Sequence, residues 1–371
     1  MSTHGRPGSF GIETSVGAAL QLYLASMQPS IRTTNICVAL IAATTAAGKA
    51  SEFTTIDCPG AAFTIASGIN TSGQIVGYCE VSNEVTTAFL RLPNGALKTL
   101  SAENAVRGTY AVDINDAGVI AGSYVDSLYQ FHGFTYSGST LTEFDVPGAR
   151  YTNPVGINSS GVVAGTFGAS SEPYNRGFLR VATGNITTFY VPNSMTTQVN
   201  GINDAGEVAG LLVDSTGYHG YVRDAFGNIT VFDVPGSDPR FGTEPEGINS
   251  SGQVTGVWQD STNVYHGFTR QASGEFTTFD APGSTHTIPY SINDSGEVTG
   301  NGYITENNNL GYSFTQSGAS VPSEFEDPLA GRDQEHGTFA TKINAEGRIV
   351  GWYTDSVGMA HGFVRDVLPG K

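Results

Sequence analysis

One short pattern returns seven times along this chain, and few folds can accommodate it. Each copy holds Ile-Asn followed by x-x-Gly, with the asparagine at Asn70, Asn115, Asn158, Asn203, Asn249, Asn293 and Asn344. The spacings are 45, 43, 45, 46, 44 and 51 residues. We number the repeats 1 to 7 by these asparagines. A typical copy runs from Gly247 through Ile248, Asn249 and Gly252 to Val254, Gly256 and Trp258. It continues into a His-Gly-Phe element, as at His266–Phe268, and then a Phe-Asp-x-Pro-Gly element, as at Phe279–Gly283.

These elements read as four short strands. The first runs from a threonine to Ile-Asn, and the second is the Gly-x-Val-x-Gly segment. Between them the Asn side chain can bond its own backbone and the Gly can take positive φ, as a tight hairpin requires. The third strand holds His-Gly-Phe and the fourth Phe-Asp-x-Pro, where Pro is tolerated at the end of an edge strand. No segment has a helical period. Glycine, at 48 residues, fits many tight turns.

Four strands in each repeat match the blade of a β-propeller. A β-solenoid is the alternative, but its repeats are shorter and its ends need caps. The ends of the repeat array favour the propeller. Phe53–Gly60 is a fourth strand with no repeat before it, and His361–Phe363 is a third strand with no fourth after it. Together they make one complete unit, as in a closed ring. The expected fold is therefore an all-β, seven-bladed β-propeller with four strands per blade, its last blade closed by an N-terminal strand.

The repeats resemble the bacterial HAF-type extracellular repeat proteins, named for a His-Ala-Phe triplet that stands here mostly as His-Gly-Phe. The resemblance spans about residues 53–366. It implies export and repetition, and it carries over no catalytic residue.

Export is also read from residues 27–50. A short polar region with Arg32 precedes the apolar run Ile36–Ala43, and small residues lead to Gly48–Ala50. The expected organisation is an upstream extension at 1–26, a secretory signal at 27–50 and a single propeller domain at 51–371, placed outside the cytoplasm as a secreted or periplasmic monomer. No run approaches the length of a membrane span. Only Cys58 and Cys79 lie beyond the signal, enough for one disulfide and too few for a zinc site. The two cysteines end strands that adjoin at the ring closure, so a Cys58–Cys79 bond is expected.

The formal charge of −17, from 34 acidic and 17 basic residues, argues against nucleic acid and anionic membrane as partners. No nucleophile elbow, zinc-protease helix motif, paired cysteine motif or phosphate loop is present, and neither a metal nor a cofactor is expected.

Two recurrences invite chemistry and have plainer readings. An Asp precedes the His by five or six residues in four repeats: Asp126/His132, Asp214/His219, Asp260/His266 and Asp355/His361. A dyad that recurs from blade to blade is better read as a buried hydrogen bond that ties a hairpin. A threonine stands six residues before each asparagine, at Thr64, Thr109, Thr152, Thr197, Thr243, Thr287 and Thr338. These form either a ring at one channel mouth or hydroxyls that satisfy a neighbouring blade's backbone.

Scaffold positions repeat because every blade packs alike, so departures from the repeat mark where a ligand site can be written. Just after the threonines stand Asn153, Gln198 and Glu244, and two residues further along stand Glu246 and Tyr290. His286 lies in the linker before repeat 6, and Asp333, Glu335 and His336 lie in the long linker before repeat 7. These nine are the ligand-binding candidates, placed at the threonine-side mouth of the channel. The expected function is a binding or scaffold module for a carbohydrate or cell-surface partner. The alternative is a polysaccharide-active enzyme. A lyase would use His286 or His336 with Tyr290, and a hydrolase would draw its carboxyl pair from Glu244, Glu246, Asp333 and Glu335.

Overall fold

The computed structural model describes residues 52–82, 85–169, 173–304, 310–332 and 336–366. The expected extension and signal segment, with Asp333 and Glu335, lie outside these residues. Among the described residues there are 28 strands and no helix. They form three four-stranded antiparallel sheets and two eight-stranded ones. Each larger sheet is two four-stranded groups joined at a single parallel residue pair, Thr86–Gly108 or Gly311–Gly337.

Every repeat builds its sheet in the same way. The Ile-Asn-x-x-Gly hairpins carry positive φ at Gly73, Gly118, Gly161, Gly206, Gly252, Gly296 and Gly347. Each asparagine Oδ1 accepts the backbone N–H four residues on, at 2.8–2.9 Å, which closes the turn. The second strand then passes very close to the first: a Cβ on Gly210 would lie 2.0 Å from the Gln198 carbonyl oxygen. The third strand buries its aromatic completely, as at Phe134, Phe178, Tyr221 and Phe268. In repeats 2, 4 and 5 the fourth strand ends at its phenylalanine, one residue short of the aspartate expected within it. The following proline has no N–H with which to continue the ladder.

The core is spread between neighbouring sheets. One cluster joins Val76 and Ala88 of repeat 1 to Ala111, Ile120 and Phe134 of repeat 2, and comparable clusters follow along the chain. Polar bonds run in the same direction. Each asparagine Nδ2 donates to the backbone oxygen of the next repeat's asparagine at 2.9–3.2 Å, and Asn344 donates to Asn70. The seven bonds thus return to their starting point.

The two ends of the repeat array meet as the sequence led us to expect. Strand Phe53–Ile56 pairs antiparallel with Ala360–Arg365, in the register Phe53–Arg365 to Ile56–Gly362. Ile56, Ala66 and Ile75 pack with Val350 and Val364. Thr341 Oγ1 donates to the Ala66 carbonyl at 2.8 Å, and the Arg365 guanidinium binds the Glu52 carboxylate. Cys58 and Cys79 are joined in a disulfide that ties the end of the closing strand to repeat 1.

Candidate functional site

The threonine recurrence is structural. All seven hydroxyls are buried and accept a backbone N–H at 2.8–3.2 Å, always from the residues that leave the preceding fourth strand. They seal one sheet to the one before it and do not line a mouth.

The Asp/His recurrence differs from its expected form in two ways. The histidines are partly exposed, at 14–20%, and their closer partner is the aspartate beyond a fourth strand. Nδ1 of His132, His219, His266 and His361 lies 2.8–2.9 Å from Asp145, Asp233, Asp280 and Asp57, while Nε2 stands 3.4–3.6 Å from the aspartate before it. For His132 and His361 burial favours the neutral ring, but the flanking carboxylates outweigh it and raise the pKa. The earlier aspartate spends its carboxylate mainly on loop N–H groups, as Asp126 does for Leu128 and Gln130.

Each first strand carries a β-bulge three residues before its asparagine, at Ser67, Val112, Val155, Asn200, Glu246, Tyr290 and Thr341. Bulges re-aim side chains. Beyond them the ends of all seven first strands surround one cavity of about 200 Å³. Its wall includes the Ile-Asn pairs together with Asn200, Glu246, Tyr290, Asp113 and Lys342. Lys342 Nζ pairs with Asp113 Oδ2 at 3.3 Å, and the Ile157 N–H also points to that oxygen at 3.3 Å. Gly68 lies between their two strands, where a Cβ would come within 3.1 Å of Asp113 Cα.

Of the nine candidates, Glu244, Glu246 and Tyr290 come together. Glu244 and Glu246 stand on one strand, Thr243–Ile248, and Tyr290 on the neighbouring His286–Ile292. Glu244 is hydrogen-bonded by Asn200, yet burial carries its pKa from 4.5 up to about 7. Glu246 is pushed well up by burial and by the charge of Glu244, and its Oε1 is shielded from solvent without a hydrogen-bond partner. Burial raises the Tyr290 phenol, with further contributions from Tyr303 and from both glutamates. The raised pKa of each glutamate favours its protonated form, so the pair can donate as well as accept.

Asn153 and Gln198 occupy the position of Glu244 in repeats 3 and 4, and both are half-buried. His286 opens the strand of Tyr290. Its Nδ1 accepts the Tyr265 N–H at 3.1 Å, and burial, followed by the nearby His266, lowers its pKa. His336 is not part of this group. Its ring packs beside Gly331, where a Cβ would lie 2.9 Å from the histidine Cγ, and its Nδ1 is shielded without a partner. Sequence reasoning passed over Asp113 and Lys342. The available signal was their position two residues before the asparagine, which is glycine in four of the repeats. No group of three or more His, Cys, Asp or Glu side chains among the described residues could hold a metal ion.

No known family description matches the sequence, and no curated protein matches it. Solved structures do. A streptogramin B lyase is 12% identical with a TM-score of 0.54, over 84% of this chain and 96% of that one. The β-propeller domain of the trilobed protease from Pyrococcus furiosus, which has an open velcro topology, is 10% identical with a TM-score of 0.59, over 82% and 96%. A chain of a mitotic checkpoint complex is 13% identical with a TM-score of 0.52, over 92% and 100%. At such identities the likeness is one of fold, and the fold is a β-propeller.

Proposed function

We propose that this chain is an exported, seven-bladed β-propeller of the HAF-repeat kind, closed by its N-terminal strand, that binds a carbohydrate or cell-surface partner. The seven-fold circuit of asparagine bonds and the pairing of Phe53–Ile56 with Ala360–Arg365 support the blade count and the closure. The Cys58–Cys79 disulfide supports export, because such bonds persist in oxidising compartments.

One observation carries the binding reading. The asparagines, threonines and second-strand glycines do the same structural work in every repeat, while the polar departures, Asp113 and Lys342 aside, gather on the first strands of repeats 3 to 6. Asn153, Gln198, Glu244 and Glu246, with His286 and Tyr290, make one sector of an otherwise uniform ring different. A glycan array of the wild type against Glu244→Ala and His286→Ala tests this. The variants should lose at least several-fold in binding while remaining cooperatively folded. Intact binding in both would reject the site.

The glutamate pair favours a second reading, an enzyme acting on a secreted polysaccharide. A carboxyl with a pKa of about 7 is suited to general acid–base work at neutral pH. A polysaccharide turnover screen separates the two readings. Turnover that disappears in Glu246→Gln would establish catalysis, and binding without turnover would establish the module.

A further inference from the structure

Repeat 3 rewrites a scaffold pair that repeats 2, 4, 5 and 7 keep. Where they place a histidine at the start of the third strand, repeat 3 has Arg176, and where they place an aspartate beyond the fourth strand it has Tyr190. The hydrogen bond is replaced by a guanidinium over a ring at 5.3 Å. Loss of the pair does not by itself demand such residues. Repeat 1 also lacks it and substitutes two small hydroxyls, Thr87 and Ser101, bonded at 2.8 Å.

The rewritten pair is the centre of a contiguous surface. Arg176 also lies over Tyr174 at 5.8 Å and donates to the Met195 carbonyl at 3.0 Å. Arg150 lies over Tyr151 at 5.7 Å and, among the described residues, pairs with no carboxylate. Tyr190 is 58% exposed, Tyr174 39% and Met195 40%. On a chain of net charge −17, two guanidinium groups and open tyrosine faces thus share one blade. The surface lies at the end of the propeller that carries the linkers between repeats: Met195 is in the linker to repeat 4, and its N–H bonds the Val213 carbonyl at the end of that repeat's second strand.

We infer that this surface of repeat 3 binds a uronate-bearing polysaccharide, the Arg150 guanidinium pairing with a sugar carboxylate and the tyrosines, held in place by Arg176, packing against pyranose faces. The inference rests on the carbohydrate reading above and narrows it to acidic glycans. Planar guanidinium suits bidentate carboxylate recognition, and tyrosine offers a flat amphipathic contact at low entropic cost. The acidic remainder of the protein disfavours a dense polyanion such as nucleic acid, which leaves a polymer with a carboxylate on only some or all of its sugars.

The test is calorimetric titration with tetragalacturonate, its methyl ester, and mannuronate and glucuronate oligomers. At least one free-acid oligomer should bind, with affinity lost at high salt, and the methyl ester should not. The double variant R176H/Y190D restores the scaffold pair found in four other repeats, so it should melt no lower than the wild type yet lose binding at least 10-fold. Arg150→Gln, an exposed change on a different strand, should lose binding several-fold. Acid binding unchanged in both variants, or binding of neutral glycans with no acid bound, would overturn this inference while leaving the carbohydrate reading standing. Binding of no glycan of any kind would overturn both.

Discussion

The amide of Asn203 divides its two ends between two repeats. Its oxygen closes its own hairpin by accepting the Glu207 N–H at 2.8 Å, and its nitrogen donates to the Asn249 carbonyl at 2.9 Å. The first role was legible in the sequence, because Asn before x-x-Gly is a turn signal. The second was not, since spacing alone does not say which carbonyl a buried amide reaches. Replacing Asn203 with Ala takes away the acceptor of the Glu207 N–H and leaves the Asn249 carbonyl with the Gly252 N–H alone, and should cost about 1–3 kcal/mol of stability by denaturant unfolding, with glycan binding unchanged. The glutamate pair behaves differently, because its folded pKa values are raised. It is neutral and uncostly below pH 4.5, and stability is lost as pH rises through about 7. Glu244→Gln should therefore match the wild type in melting at pH 4 and exceed it at pH 8, by about 2 kcal/mol once the partial exposure of Glu244 is allowed for. Equal melting at pH 8 would show that the carboxyl groups are solvated. Arginine packing also escaped the sequence: Arg180, Arg223, Arg270 and Arg365 each lie 4.3–4.9 Å over a phenylalanine of the preceding repeat, a neighbour that only the folded ring supplies.

At the scale of elements, the four strands of each repeat followed from turn residues and alternation, and the structure places them where those signals put them except that fourth strands end at their phenylalanine, before the aspartate. The bulges did not follow. A bulge adds one residue to a strand without changing its composition, and because all seven copies share it, comparing repeats with one another cannot expose it. The consequence falls on the site: Glu246 and Tyr290 are bulge residues and line the cavity at the Ile-Asn end of the first strands, whereas simple alternation placed them with Glu244 toward the threonine end. The disulfide was legible because strand order brings its two cysteines to one corner. It closes a loop of sequence separation 21 and should contribute about 3 kcal/mol. Reduction, or the Cys58→Ser/Cys79→Ser double change, should lower the melting temperature by that equivalent, and an unchanged melt would mean that the closing strand is held without it.

The whole molecule depends on how its last repeat is completed. Interfaces between neighbouring sheets recur along the chain, and the one between repeats 7 and 1 has the same kinds of contact: a shared apolar cluster, the Asn344–Asn70 bond and the Thr341–Ala66 bond. What sets it apart is that the outer strand arrives from the other end of the chain. Asp57, immediately after that strand, takes the place that Asp145, Asp233 and Asp280 hold elsewhere, 2.9 Å from Nδ1 of His361. The orphan strand before the first repeat made this closure readable, whereas the residues proposed to choose a ligand are single departures among many variable positions and carried no comparable pattern. The most direct measurement of the closed ring is hydrogen exchange across residues 360–365 in the intact protein and in a variant lacking residues 52–57. The closed ring predicts slow exchange of Ala360–Arg365 in the intact chain, with protection lost and the melting temperature sharply lowered in the variant. Retained protection and an unchanged melt in the variant would contradict it.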